Sequence, residues 1–114
     1  FYLNNYGKHT RDFTYILDAC RIIEKIVFLK KNIKHEIFNV CSNNPKKLTD
    51  IIKNINHLTH KKPKLFKRKL QKADVVKTHG SNKKIKIFIG NQHFTSINQG
   101  LKITVDWFKK YYNF

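Results

Sequence analysis

The fold is decided by a stretch near the start of the chain that reads NYGKHTRDFTYI, residues 5–16. The side chains of Phe13, Tyr15 and Ile16 are typical of a short, mostly buried strand. Gly7 permits a tight turn before that strand, because glycine has no side chain to restrict the backbone. The stretch therefore predicts a turn followed by a strand.

Arg11 is the strongest candidate for a binding residue in this stretch. It would lie at the mouth of the predicted strand, where its planar guanidinium can hold a phosphate through two parallel hydrogen bonds. The alternative is a structural ion pair with Asp12 or Asp18. Asp18 itself is expected to be structural, because the helix dipole favours an acidic residue in the first turn of a helix.

Apolar residues recur at helical spacing along the rest of the chain and predict four helices. We expect these helices at residues 16 to near 30–32, 48–58, 83–89 and from Thr95 or Ser96 to about 112. A strand is expected at 37–40, and Pro63 opens an extended segment. Mixed elements without regular βαβ alternation favour a small α/β lobe, as a single domain over residues 1–114.

The charge of the chain raises the question of a nucleic-acid partner. Lys and Arg number 24 against 7 Asp and Glu, which gives a net charge of +17. The densest basic segment is 61–69, where Phe66 could stack on a base. Because the lysines are scattered along the chain, we expect a solvated surface beside an anionic ligand rather than a specific nucleic-acid groove.

No apolar run is long enough for a transmembrane helix, and the chain does not begin with a signal peptide or Met, which fits a piece of a longer protein. Cys20 and Cys41 have no metal-binding spacing and are expected to be buried and reduced, as in a cytoplasmic protein. His57 and His60 are three residues apart, but no acidic or cysteine partner is near them in sequence. We therefore expect no metal site.

The stretch RDFTYI resembles the start of the C-terminal, substrate-binding part of the extended short-chain dehydrogenase/reductase family. Within this family it is most similar to the NAD-dependent nucleotide-sugar epimerases, and among these to the UDP-glucuronate 4-epimerases. The order of the further matching segments strengthens the resemblance. They are residues 36–45, 70–75, 90, 95–101 and 105–112.

The resemblance implies a UDP-sugar site formed by Arg11, Gln71 and Asp74. The arginine at the matching position of the family contacts the diphosphate, and the matching aspartate commonly holds the uridine ribose through its hydroxyls. Gln71 matches a loop position that faces the diphosphate and is often arginine in relatives. Alternatively, Asp74 is a helix cap or a surface residue. Lys72 and Ala73 replace the usual proline and glycine of this loop.

The residues of the family that carry catalysis are not found in this chain. There is no GxxGxxG-type turn, which would place the cofactor pyrophosphate at a helix N-terminus, and no tyrosine stands four residues before a lysine. We therefore expect no catalytic or cofactor-binding residues here, and no activity from this chain alone. The resemblance implies that NAD is bound by a separate or lost N-terminal Rossmann part, and that the enzyme, like many relatives, is a homodimer.

Two alternatives remain open. One is a segment of a related sugar-nucleotide dehydratase or a different epimerase, because the acid and base residues that distinguish these enzymes lie outside this chain. The other is a non-catalytic remnant or a basic binding module. Departures from the family pattern favour a remnant, and they cluster at turn positions. These departures are Cys41, Ala73, Ser81, Asn91 and His93.

Overall fold

The computed structural model describes residues 1–30 and 34–114 of a mixed α/β chain. The strands are β1 (Tyr2–Leu3), β2 (Thr10–Arg11), β3 (Lys46–Lys47) and β4 (Phe66–Lys67). The α-helices are α1 (Ile16–Val27), α2 (Leu48–Thr59), α3 (Lys83–Ile89) and α4 (Ile97–Tyr112), and a 3-10 helix covers Asn4–Gly7. The α/β class and the four predicted helices are confirmed.

Two small sheets organise the first half of the chain. β1 pairs in parallel with β4, and β2 pairs antiparallel with β3, so that Arg11 lies opposite Lys46. The other edge of β2 receives residues 76–78: the N–H of Thr10 donates to the carbonyl of Val76 at 3.1 Å, and the N–H of Thr78 donates to the carbonyl of Thr10 at 3.2 Å. β2 is therefore held between β3 and a later segment of the chain.

The tight turn predicted at Gly7 is confirmed. Its φ is +79°, in the region that favours glycine. A Cβ at this position would lie 2.8 Å from side-chain carbons of both Leu3 and Thr49. Gly7 therefore allows the chain to turn and also lets β1 approach the start of α2.

The later helices begin and end as local signals predict. The hydroxyl of Ser96 accepts a hydrogen bond from the N–H of Gln99 at 3.3 Å and caps α4. α3 ends at Ile89 and is followed by Gly90, whose φ is +81°. α4 packs against α2, where Lys109 Nζ donates to the carbonyl of Leu58 at 2.8 Å. This last bond satisfies a carbonyl near the end of α2 that has no partner within the helix.

The largest core cluster joins α1 to α3. Ile22, Ile85 and Ile89 are buried at its centre. Partly buried apolar side chains surround them: Ile26, Leu29, Phe38, Val40, Phe88 and Phe94. The cluster fixes the start of the chain against its second half, but it is small for a chain of 114 residues.

Two predicted strands are wrong. β2 ends at Arg11, and the chain then turns into α1, so that Phe13 is partly exposed and Ile16 begins a helix. Residues 37–40 form no regular strand, because no described segment pairs with them, although Phe38 and Val40 still pack against the core. In both places apolar residues that favour a strand lack a hydrogen-bonding partner.

Two further expectations need correction. α1 ends at Val27, three residues before Lys30, and residues 31 and 32 lie outside the described part of the chain. Both cysteines are free, but neither is buried, because Cys20 is exposed and Cys41 is half-buried.

Across the described residues, no helix has both the length and the apolar character needed to cross a bilayer.

A large part of the apolar surface is exposed. α1 and α4 form a groove of 390 Å³, which we call the α1–α4 groove; it is lined by Tyr15, Ile16, Leu17, Ile103, Thr104 and Trp107. Ile16 is 66% exposed and Trp107 is 56% exposed. Exposed apolar surface of this kind favours association with other protein surfaces.

We predict that the purified chain is marginally stable and associates with itself as its concentration rises. Trp107→Ser should reduce this association, since it removes the largest apolar side chain of the α1–α4 groove. Ile87→Ser is the matched control, because Ile87 is 87% exposed but lies on α3, outside the groove. Light scattering coupled to size-exclusion chromatography measures the mass. A monomer of 13.6 kDa at every concentration, with a sharp and high thermal transition, would contradict the prediction.

Candidate functional site

The carboxylate of Asp12 connects three segments of the chain beside β2. Oδ1 accepts from the hydroxyl of Ser42 at 2.6 Å and from the N–H of Asn44 at 3.2 Å. Oδ2 accepts from the N–H groups of Asn43 and Gly80, both at 3.1 Å. All four bonds require the carboxylate oxygens as acceptors. Asp12 therefore fixes the turn before β3 and the segment at Gly80 around the end of β2.

These bonds determine the acidity of Asp12. Burial on its own raises the pKa of the carboxyl group, but hydrogen bonds from Ser42, Asn44, Gly80 and Asn43 stabilise the charged form. The balance lowers the pKa of Asp12 below its ordinary value of 3.8. The group is therefore an anchor that stays charged at neutral pH.

Arg11 is half-buried next to this anchor and forms neither of the ion pairs considered from the sequence. Within the described residues, its hydrogen bonds go to backbone carbonyls: Nη1 donates to Thr10 at 2.8 Å and to Val76 at 3.2 Å. Both bonds use the same nitrogen. The remaining nitrogens of the guanidinium are therefore left to bind an anion.

Asp74 lies on the loop that leads to Val76. Its Oδ2 accepts from Asn4 Nδ2 at 3.2 Å, and its N–H donates to the carbonyl of Gln71 at 3.1 Å, which closes a turn. The alternative of a helix cap is wrong, since Asp74 lies well before α3, which begins at Lys83 after Asn82 at the cap position. The side chain of Gln71 is exposed.

The structure thus brings the three predicted binding residues into one region. Gln71 and Asp74 share a turn, and Arg11 bonds to the carbonyl of Val76, two residues after Asp74. An arginine and a carboxylate on neighbouring segments can bind a diphosphate and a pair of hydroxyls, respectively. Their contact with a ligand stays a prediction.

Asp18 is structural, as its position in the first turn of α1 predicts. It is only 1% exposed. Oδ2 accepts from the N–H of Thr95 at 2.6 Å, and Oδ1 accepts from the Thr95 hydroxyl at 3.0 Å and from Arg21 Nη2 at 2.8 Å. Arg21 also donates to the carbonyl of His93 at 2.7 Å. Asp18 therefore attaches the segment before α4 to α1.

Sequence reasoning missed the roles of two residues in the stretch that decides the fold. The sequence predicts for Asp12 only an ion pair with Arg11. It predicts no role for His9, yet His9 is buried and its Nε2 lies 4.0 Å from Asp74 Oδ2. Both residues act on segments more than 25 positions away in sequence, so local patterns carry no signal for them.

His57 lies on α2, and His60 lies directly after the end of this helix. The ring centres of His57 and His60 are 6.5 Å apart. In the described ranges, 1–30 and 34–114, no three side chains of His, Cys, Asp or Glu are grouped as metal ligands.

Comparison with known proteins places this geometry in context. The chain is 36% identical to an uncharacterised protein of Methanocaldococcus jannaschii, over 91% of this chain and 31% of that protein. It is 35% identical to a UDP-glucuronate 4-epimerase of Thermodesulfobacterium geofontis, over 91% of this chain and 32% of the relative. The chain therefore spans about a third of the length of these relatives. No family model matches it.

A solved structure extends the comparison to the fold. The UDP-glucuronic acid 4-epimerase of Bacillus cereus, in complex with UDP-glucuronic acid and NAD, superposes with a TM-score of 0.85 at 26% identity. The match covers 97% of this chain and 35% of that enzyme.

We predict that Asp12→Asn lowers the free energy of unfolding at neutral pH by about 1 kcal/mol or more, because charged hydrogen bonds are lost. Since the folded-state pKa of Asp12 is lowered, its stabilising effect is present above 3.8 and disappears as the pH falls through the folded-state pKa. The stability difference between wild type and variant should therefore shrink below pH 3.8. Urea unfolding at several pH values measures it, with Asp106→Asn as the exposed control. A difference independent of pH would refute this account.

We predict that Asp18→Asn lowers the free energy of unfolding by about 1.5–3 kcal/mol, the usual range for hydrogen bonds to a charged group. Asp50→Asn is the matched control, because Asp50 is also in the first turn of a 12-residue helix but is exposed. The control should cost at most about 1 kcal/mol. Equal losses in the two variants, measured by urea unfolding, would show that the helix dipole alone explains Asp18.

Proposed function

We propose that this chain is the UDP-sugar-binding lobe of an NAD-dependent epimerase. The chain belongs to the extended short-chain dehydrogenase/reductase family, in its group of nucleotide-sugar epimerases and dehydratases. The activity of this epimerase would be most like that of UDP-glucuronate 4-epimerase. The chain alone would be inactive. The relative from Thermodesulfobacterium geofontis and the Bacillus cereus enzyme both carry this name. The proposal extends their activity to a chain that spans about a third of their length.

One observation carries the proposal: Arg11 and the loop of Gln71 and Asp74 are connected through the carbonyl of Val76. Arg11 would bind the diphosphate through the nitrogens that its backbone contacts leave free. Asp74 would accept hydrogen bonds from the ribose hydroxyls. Gln71 has an exposed side chain that can reach the same ligand. The residues of this chain would thus bind and orient the nucleotide.

The described residues do not fit a dinucleotide cofactor. Gly7 and Gly90 form single turns with positive φ. Gly80 and Gly100 serve close packing, because a Cβ would lie 2.6 Å from Cys41 Sγ at the first position and 3.3 Å from the ring of Tyr15 at the second. None of them forms a phosphate-binding turn at a helix N-terminus. NAD would therefore be bound by an N-terminal Rossmann part outside this chain, and would supply the hydride chemistry there.

The same proposal implies a further part of the enzyme and an assembly. An N-terminal part, either covalently continuous with this lobe or separate, would cover exposed apolar surface of the lobe. The complete enzyme would be a cytoplasmic homodimer whose product enters polysaccharide synthesis. A dehydratase is the nearest alternative, since the dTDP-glucose 4,6-dehydratase of Bacillus anthracis superposes with a TM-score of 0.78 at 25% identity.

A basic nucleic-acid-binding module is the second candidate, and the segment 61–69 favours it. This segment is mostly exposed, and the guanidinium of Arg68 lies over the ring of Tyr2, 3.2 Å from its centre. Stacking already occupies this arginine, and the remaining positive charge is spread over the chain. We therefore expect only non-specific, salt-sensitive binding to DNA.

We predict that UDP binds weakly to the chain and that Arg11→Ala weakens this binding by about 10- to 100-fold, because it removes a charge-assisted contact with the diphosphate. Arg68→Ala is the matched control, since it removes the same charge from the basic segment outside the loop. Calorimetric titration of UDP measures both, and circular dichroism confirms the fold of each variant.

A short DNA duplex, titrated at low and physiological salt, provides the contrasting ligand. Its binding should fall steeply with salt and change little with Arg11→Ala. Tight, salt-resistant DNA binding without a response to UDP would overturn the proposed function. Binding of neither ligand would favour a non-catalytic remnant.

A further inference from the structure

His9 is a buried polar residue that has no partner at one ring nitrogen. The residue is 4% exposed. Within the described chain, its Nε2 is buried and forms no hydrogen bond. The carboxylate of Asp74 faces this nitrogen, with Oδ2 4.0 Å from Nε2. This distance is too long for a hydrogen bond, and a buried polar group without a partner is rare in folded proteins.

The backbone around His9 is held on both sides. The carbonyl of His9 accepts from the N–H of Leu48, at the start of α2, at 2.9 Å. The next residue, Thr10, donates to the carbonyl of Val76 at 3.1 Å. These bonds fix the backbone of His9 to the start of α2 and to the segment at Val76. A movement of the loop toward β2 would close the gap of 4.0 Å between His9 and Asp74.

The two oxygens of Asp74 have different surroundings. Oδ2 faces the protein, where Asn4 Nδ2 donates to it at 3.2 Å and His9 Nε2 is 4.0 Å away. In the described part of the chain, no protein group donates to Oδ1. Since a carboxylate accepts on both oxygens, Oδ1 is the one available to a ligand.

We propose that His9 is a positioning residue for Asp74: its Nε2–H donates to Oδ2 when the loop closes by about 1 Å to hydrogen-bonding distance, and so directs Oδ1 toward the ligand. The role of Oδ1 rests on the proposed function, in which Asp74 holds the ribose hydroxyls. Closure gives the unpaired His9 nitrogen a partner, which favours the closed loop. His9 and Asn4 then fix the carboxylate from the protein side.

The test compares His9→Leu, His9→Gln, Asp74→Asn and the double variant His9→Leu/Asp74→Asn with wild type. Leucine removes the donor, whereas the glutamine amide can replace Nε2–H. His35→Leu is the matched control, because His35 is exposed. The ligands are UDP and inorganic pyrophosphate, which has no ribose. Calorimetry measures both affinities, and thermal unfolding identifies variants that do not fold.

We expect His9→Leu to weaken UDP binding by about tenfold, as for loss of a hydrogen bond to a charged group, and to leave pyrophosphate binding unchanged. His9→Gln should recover most of the affinity. In the Asp74→Asn background, His9→Leu should have no further effect, because the two residues act through one contact. Unchanged UDP affinity in His9→Leu, or an equal loss for UDP and pyrophosphate, would overturn the inference.

A measurement without ligand separates this inference from the proposed function. If wild type binds no UDP, the proposed function fails. The ¹³C resonance of the Asp74 carboxyl then decides the inference, because the closed loop that His9 favours without ligand should make it shift in His9→Leu, return toward its wild-type position in His9→Gln and remain unchanged in His35→Leu. A resonance that is the same in His9→Leu and His35→Leu would overturn the role of His9.

Discussion

The four hydrogen bonds accepted by the carboxylate of Asp12 are the interaction on which the rest of the structure depends. They join the end of β2 to the turn at residues 42–44 and to Gly80, which is 68 positions away in sequence. The N–H of Asp12 adds a bond to the hydroxyl of Thr78 at 3.1 Å. The charged side chain of Asp12, rather than the local helices and strands, therefore positions the neighbouring residue Arg11 and the loop before Val76.

Such hydrogen bonds are important for the stability of the chain because its apolar core is small. The radius of gyration is 17.2 Å, against about 13 Å for a compact domain of this length. Burial of apolar residues therefore contributes less than in a compact domain, and long-range hydrogen bonds of Asp12 and Asp18 fix the segments in place. The extended shape and the exposed α1–α4 groove agree with a lobe that is part of a larger fold.

The helices could be predicted from the sequence because their signals are local. The spacing of apolar residues located α1 to α4, and Ser96 and Gly90 marked a beginning and an end correctly. Strands were harder, because a strand is defined by its partner. Phe13 and the residues at 37–40 have suitable side chains, but no described segment pairs with them. Conversely, β3 consists of two lysines, Lys46 and Lys47, which give no strand signal.

The candidate site was predicted only in part, for a related reason. Resemblance to a family identified Arg11, Gln71 and Asp74, and the structure places them in one region. The resemblance could not show that Arg11 bonds to Val76 or that Asp12 holds Gly80, because these contacts depend on the three-dimensional path of the chain. His9 is the clearest example, since nothing in its sequence neighbours indicates that it is buried beside Asp74.

The central claim is that residues around Arg11 and Asp74 form a nucleotide site. It is tested most directly by backbone amide resonances of ¹⁵N-labelled chain during titration with UDP. If the site binds UDP, the shifts should be confined to residues near 9–12 and 71–78. Shifts centred on the basic segment 61–69, or no shifts at saturating UDP, would contradict it.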